Sequence, residues 1–118
     1  MKSETGKAGE NCVACWLEEK GYEILERNFH SRYGEIDIIA KRGTYIAFVE
    51  VKTRAPNSLV SPLEAITPAK QRKLTATAME YLRQNPSKLQ PRFDAAAVCS
   101  RGDVLTVEVY LENAFFAQ

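Results

Sequence analysis

Apolar residues near the start of the chain recur at helical spacing and predict an amphipathic helix from about Ala8 to Lys20. Gly21 follows where a helix usually ends. The predicted apolar face holds Cys12, Cys15, Trp16 and Glu19, with Ala8 one turn earlier and Val13 and Leu17 beside it. Because Trp16 lies on this stripe, we expect it to pack in the core.

Alternation of apolar and polar residues then predicts three strands joined by short turns, which together form a meander. The turns are residues 31–34, which end in Gly34, and residues 41–44, which contain Gly43. The predicted strands are Tyr22–Phe29, Glu35–Ala40 and Tyr45–Thr53.

Two serine or threonine residues followed by proline, Ser61-Pro62 and Thr67-Pro68, match the start of a helix. The second predicts a long helix from Thr67 to Gln84, which Asn85-Pro86 ends. Its apolar stripe is formed by Leu74, Ala78, Tyr81 and Leu82, and we expect Tyr81 to lie in the core.

A plausible fourth strand covers Arg92–Cys99, and a fifth covers Val104–Leu111 after a turn at residues 101–103. The resulting order is αβββαββ. It predicts an α/β fold in which a mixed β-sheet is flanked by helices. We expect one domain over residues 1–118, since this length is typical of a single domain.

Composition limits the class of protein. With 45% hydrophobic and 26% charged residues, the 118-residue chain is neither disordered nor of low complexity. No apolar run approaches the ~18 residues that a membrane-spanning helix needs. The first residues lack the apolar segment of a signal peptide, and there are three cysteines. We therefore expect a cytoplasmic protein without a membrane partner.

The charge is balanced overall, at +1, but unevenly distributed along the chain. Residues 53–92 hold seven Lys and Arg against two Asp and Glu, whereas residues 93–118 hold one against four. The middle third is therefore locally basic and suits contact with a phosphate backbone.

Candidate chemistry lies on the second and third strands. Residues two apart in a strand share a face, so Glu35 lies with Asp37, and Glu50 lies with Lys52. A hairpin would bring Asp37 near Glu50. Mutual repulsion of two such carboxylates is relieved by a divalent cation, and Mg²⁺ commonly takes one or two carboxylates plus water or phosphate oxygens. A nearby lysine then completes the parts for phosphodiester hydrolysis. The plainer alternative is an exposed, charged sheet face.

Two segments, Gly34-Glu35-Ile36-Asp37-Ile38-Ile39 and Phe48-Val49-Glu50-Val51-Lys52-Thr53-Arg54, resemble the signature of the YraN family. These small bacterial proteins are related to archaeal Holliday junction resolvases and to the PD-(D/E)xK, restriction-endonuclease-like superfamily. The resemblance extends over nearly the whole chain. Further matching residues are Gly9-Glu10, Leu17, Gly21–Leu25, Arg27-Asn28, Lys70, Tyr81-Leu82, Arg92-Phe93-Asp94 and Glu112–Phe115.

The resemblance implies a restriction-endonuclease-like core and a Mg²⁺ or Mn²⁺ site. Asp37 and Glu50 would bind the metal together with the backbone carbonyl of Val51. Glu10 would complete the acidic site from the first helix, and Lys52 would be the catalytic lysine. The chain departs from the family at Val13, Cys15 and His30, none of which belongs to the metal motif.

The expected function is Mg²⁺-dependent hydrolysis of DNA, branched or damaged DNA included. The alternatives are a catalytically silent nucleic-acid-binding module and a structural partner in a repair or recombination assembly. The resolvase branch acts as dimers, so a homodimer is among the expected assemblies. The expected phosphate contacts are Arg54, Lys70, Arg72 and Lys73.

Cys12 and Cys15 form a CxxC pair, but only Cys99 and His30 remain as further soft ligands. A structural zinc site normally has four ligands, and no second pair is present. We therefore expect two small apolar side chains that face the core, with neither zinc nor a disulfide. His30 is expected to be an exposed histidine rather than a ligand.

Overall fold

The computed structural model describes residues 4–56 and 66–117. The predicted order αβββαββ is confirmed. Of the two predicted helix starts, Ser61-Pro62 lies outside the described residues. The elements are α1 (Glu4–Glu19), β1 (Glu23–Ser31), β2 (Gly34–Arg42), β3 (Tyr45–Arg54), α2 (Pro68–Gln84), β4 (Gln90–Arg101) and β5 (Val104–Phe115). The last two strands are longer than predicted, and β5 includes the whole Glu112–Phe115 segment.

All five strands form one mixed sheet in the order β1-β2-β3-β4-β5. The first three form the predicted antiparallel meander, and β5 pairs antiparallel with β4. β3 and β4 pair in parallel, with Lys52 opposite Ala97. The segment that joins them contains α2, because parallel neighbours require a crossover connection.

Helix α2 begins as its sequence predicts. The Thr67 hydroxyl accepts a hydrogen bond from the backbone N–H of Lys70 at 3.2 Å, and Pro68 occupies the first turn. At the other end, the Asn85 N–H donates to the carbonyl of Tyr81 at 2.8 Å. These caps fix where α2 begins and ends relative to the sheet.

Each face of the sheet carries its own apolar cluster. On one face, Val13 and Leu17 of α1 pack against Ile38, Val49 and other strand residues. On the other face, Leu74 and Tyr81 of α2 pack against a second set. That set includes Ile36, Ile39, Ile46, Phe48 and Phe93. The core position predicted for Tyr81 is confirmed, since it is 6% exposed.

The face of α1 that we predicted is rotated from the observed one. Val13 and Leu17 are fully buried, whereas Cys12 and Trp16 are half-buried at the edge and Cys15 is exposed. The core position predicted for Cys15 is therefore wrong. Trp16 packs against the edge of the cluster on this face and stacks on the Tyr110 ring, with the ring centroids 4.8 Å apart.

Strand alternation fails at Asp37. Ile36 packs in the α2-side cluster, whereas Ile38, two residues on, packs in the α1-side cluster. Residues two apart in a regular strand share a face, so the two isoleucines were expected on one face, and that expectation is wrong. The change coincides with the end of the regular β2–β3 pairing, which begins only at Ile38 and Val49. This irregularity lies at the candidate site.

Neither helix in the part of the chain that the structure describes is long and apolar enough to cross a membrane.

Candidate metal centre

Asp37 and Glu50 lie at the point where β2 and β3 separate. Both carboxyl groups are buried, at 3% and 7% exposure. Beyond the Ile38–Val49 pair, the backbone N–H of Val51 donates to Oδ2 of Asp37 at 2.8 Å. The Asp37 side chain thus takes the place of a strand partner, which fixes its carboxylate beside Glu50 and beside the backbone of Val51.

Glu50 is in the less favourable environment of the two carboxylates. Burial, together with the charge of Asp37 and a hydrogen bond to it, raises the pKa of Glu50 to about 8, although Lys70 and Lys52 oppose the shift. Its Oε2 atom is buried without a hydrogen bond. The Lys70 ammonium lies 3.6 Å from that oxygen. A buried, unsatisfied carboxylate oxygen is costly unless a cation binds it.

A cavity of about 230 Å³, which we call the metal cavity after its candidate ligands, opens over this pair. Three lysines line it, Lys52 from β3 and Lys70 and Lys73 from α2. Its other lining residues are Gly34, Glu35, Asp37, Glu50, Val51 and Leu74. The cavity therefore combines two buried carboxylates at its base with three ammonium groups around it, which suits a cation and the phosphate it would hold.

The donor set fits Mg²⁺ or Mn²⁺. Within residues 4–56 and 66–117, no three His, Cys, Asp or Glu side chains come close enough to share a metal ion. Zinc sites usually need three or four such ligands, whereas Mg²⁺ accepts one or two carboxylates and completes its shell with other oxygens. Asp37 and Glu50 would hold the metal. Val51 also lines the cavity, and the ligand role of its carbonyl stays a prediction.

Glu10 lies in a neighbouring cavity. This second cavity, of about 360 Å³, is lined by Glu10, Lys7, Asn11, Arg27, Asn28, His30 and Glu35. Glu10 is buried, at 3% exposure, but Asp37 and Glu50 are not among its cavity neighbours. Glu35 lines both cavities. The ligand role of Glu10 stays a prediction.

Of the four predicted phosphate contacts, two line the metal cavity and two do not. Lys70 and Lys73 reach the metal cavity, whereas Arg72, on the same helix, is exposed and does not line it. Arg54 lies 3.3 Å from Glu108 of β5, beside a different cavity. His30 is exposed, as expected, and its Nε2 lies 3.4 Å from Glu35.

A buried polar network on β4 was not predicted. Arg92 and Asp94 form a bidentate pair, at 2.9 Å from Nε to Oδ1 and 2.8 Å from Nη2 to Oδ2. Tyr22 also bonds Arg92, and the Tyr110 hydroxyl donates to Asp94 at 2.6 Å. Burial raises the pKa of Tyr110, and the charge of Asp94 adds to this. The signal was two opposite charges two residues apart in an apolar strand.

Asn28 is a second residue that the sequence analysis left without a role. It has a positive φ of 53° and lines the cavity that contains Glu10. Only the Arg27-Asn28 pair in the resemblance pointed to it.

Comparison with known proteins gives a consistent family. The profile of "Uncharacterised protein family UPF0102" matches residues 9–98. A UPF0102 protein of Chlorobium chlorochromatii is 45% identical over 98% of this chain and 93% of its own length. One of Alkaliphilus metalliredigens is 42% identical over 98% of this chain and its full length. One of Rhodococcus opacus is 45% identical over 79% of this chain and 80% of its own length.

Proposed function

The chain belongs to the UPF0102, or YraN, family, and from its metal centre we propose that it is a Mg²⁺- or Mn²⁺-dependent enzyme that hydrolyses DNA phosphodiester bonds. The observation that carries the proposal is the buried Asp37–Glu50 pair, in which Oε2 of Glu50 is without a hydrogen bond. A folded protein keeps such a group at a cost in stability, and its usual purpose is to bind a cation or to react.

Each residue around the cavity has a distinct task. Asp37 and Glu50 would hold the cation, which would supply Lewis-acid polarisation of the phosphate and lower the pKa of the attacking water. Lys52 donates hydrogen bonds to the phosphate oxygens on which charge develops as water attacks phosphorus. Lys70 and Lys73 of α2 bind neighbouring phosphates and orient the strand.

The ion pair between Lys70 and Glu50 favours a second candidate function, a nucleic-acid-binding module without turnover. An ammonium 3.6 Å from Oε2 already balances part of the carboxylate charge without a metal. In that case Lys70 would stay on Glu50, and the remaining lysines would bind the backbone. The two functions differ in whether Mn²⁺ displaces Lys70.

A cleavage assay tests the proposal. Duplex, single-stranded, flap and four-way DNA are incubated with the protein and Mg²⁺ or Mn²⁺, beside the variants Glu50→Gln and Glu108→Gln. We expect metal-dependent cleavage of at least one DNA, its loss in Glu50→Gln and its retention in Glu108→Gln, since Glu108 lies on β5 outside the metal cavity. Binding without cleavage across the panel would favour the second candidate.

A further inference from the structure

Asn28 has a backbone conformation that few residue types adopt. Its φ of 53° is left-handed, and Asn113 is the other non-glycine residue with a positive φ in the described ranges. Asparagine tolerates this region better than most residues because its short amide can bond locally. Asn28 lies between the pairs Arg27–Ile38 and Phe29–Ile36, so it is opposite Asp37 across β1 and β2.

The Asn28 amide bridges two carboxylates from different elements. Carboxylate oxygens only accept hydrogen bonds, so the amide nitrogen must face them. In that orientation, Nδ2 donates to Oε1 of Glu10 and to Oε1 of Glu35, at 3.0 Å each. The two N–H groups of one neutral amide therefore join α1 to β2 beside the metal cavity.

We propose that Asn28 is a positioning residue that takes, with a neutral amide, the place a second divalent cation would otherwise take between Glu10 and Glu35. The inference rests on the proposed function, because it concerns how many metal ions that site admits. Two carboxylates that approach one point repel each other, and a cation or a shared hydrogen-bond donor between them relieves this repulsion. Here the donor is built into β1.

This bridge affects the metal cavity because Glu35 lines both cavities. Oε1 of Glu35 accepts from Asn28 and lies 3.4 Å from Nε2 of His30, so this oxygen faces the residues that line the cavity of Glu10. Asp37 and Glu50 are then left as the carboxylate ligands of a single ion. The structure thus points to a one-metal site in this chain.

The test replaces the amide with a third carboxylate. Asn28→Asp keeps a residue that tolerates the left-handed region and puts an acceptor oxygen where the donor was. Three carboxylates would then surround one point and attract a hard divalent cation. Calorimetric titration with Mn²⁺ should find one more bound ion in Asn28→Asp than in the unchanged protein.

Asn113→Asp is the matched control, since it makes the same change at the other left-handed asparagine, on β5. We expect it to bind as many Mn²⁺ ions as the unchanged protein. Equal numbers in all three proteins would overturn the inference. The proposed function fails separately, if the unchanged protein binds no ion, because the inference depends only on the difference between variants.

Asn28→Gly covers the case in which Asn28→Asp does not fold. Glycine keeps the left-handed backbone and removes the bridge. Mn²⁺ should then raise the unfolding temperature of Asn28→Gly more than that of the unchanged protein, because the cation can bind between Glu10 and Glu35 once the amide is gone. The same rise in both proteins would show that the amide does not occupy a cation position.

Discussion

The carboxyl group of Glu50 controls how the site responds to pH. Its pKa is about 8 in the folded protein against 4.5 for an ordinary glutamate, because it is buried beside Asp37. Between these values the folded chain binds more protons than the unfolded chain. The stability that protonated Glu50 contributes is therefore fully present below about pH 4.5 and is lost as pH rises through about 8.

We therefore expect the free energy of unfolding, measured by urea titration without metal, to fall from pH 5 to pH 8. Glu50→Gln should flatten this slope, because glutamine does not ionise. Mn²⁺ should stabilise the unchanged protein more strongly at pH 8 than at pH 5, since the cation binds the ionised form. An identical pH slope in Glu50→Gln would contradict the assignment.

Lys52 separates catalysis from binding. It is exposed on β3 and lines the cavity without being a possible metal ligand. Lys52→Ala should keep Mn²⁺ affinity and DNA affinity near normal but reduce the cleavage rate by about 10²–10³, the usual loss for one preorganised charge-stabilising group. Lys41→Ala, on β2 near Glu23, is the control and should cleave normally. Equal rates in the two variants would remove Lys52 from the mechanism.

Helix α2 contributes lysines on one side and an arginine on another. Because Lys70 and Lys73 line the metal cavity and Arg72 does not, the helix offers a controlled comparison. Each lost contact to duplex phosphate lowers the log–log salt slope of binding by about 0.9. We expect Lys70→Ala/Lys73→Ala to reduce the slope by about two units, whereas Arg72→Ala leaves it unchanged. A larger effect from Arg72→Ala would place the DNA on another face of α2.

Helix α1 approaches β3 so closely that only glycine fits at one position. A Cβ on Gly9 would lie 1.8 Å from the Thr53 hydroxyl oxygen, which is buried without a hydrogen bond. This contact places Glu10, the next residue, against the sheet.

Gly9→Ala should therefore destabilise the protein by about 1–3 kcal/mol, the usual cost of overpacking. Thr53→Ala removes the clashing oxygen and leaves the Thr53 Cβ as the nearest atom, at 3.2 Å. The double variant should recover most of the loss, and urea unfolding of all four proteins measures this coupling. Additive losses would show that the two residues do not meet.

The Arg92–Asp94 network connects distant parts of the molecule. It joins β4 to Tyr22, which follows α1, and to Tyr110 and the backbone of Asn113 on β5. Burial opposes the Arg92 charge, but its bonds to Asp94 and Tyr22 outweigh this and raise the pKa of Arg92. The network acts as a structural support on the sheet, apart from the metal cavity.

Asp94→Asn removes the buried carboxylate from Arg92 and leaves it only the half-exposed Glu112, 3.7 Å away, so we expect a loss of about 3–5 kcal/mol in urea unfolding. The Glu80–Arg83 pair on the surface of α2 is the comparison, and Glu80→Gln should cost less than about 1 kcal/mol. Mn²⁺ binding should persist in Asp94→Asn at temperatures where it remains folded. Equal losses in the two variants would mean that the network adds no more than a surface pair.

The sequence by itself determined the elements, their order and the acidic strand pair. These features follow from local patterns: hydrophobic periodicity, the Thr67-Pro68 helix start and the glycine turns. Local patterns can be interpreted without the tertiary structure. The placement of Asp37 near Glu50 also followed, because a short hairpin leaves little freedom in register.

Tertiary structure alone decided how these parts meet. Helix α1 approaches β3 closely where Gly9 lies against Thr53, and the Asn28 amide lies between Glu10 and Glu35. Arg54 lies against Glu108, a residue 54 positions further along the chain. Such contacts join side chains from separate elements, so no periodicity records them. They arise from packing and charge pairing once the sheet is assembled. The sequence therefore supplied the candidate ligands, but not the finding that Glu35 lines both cavities.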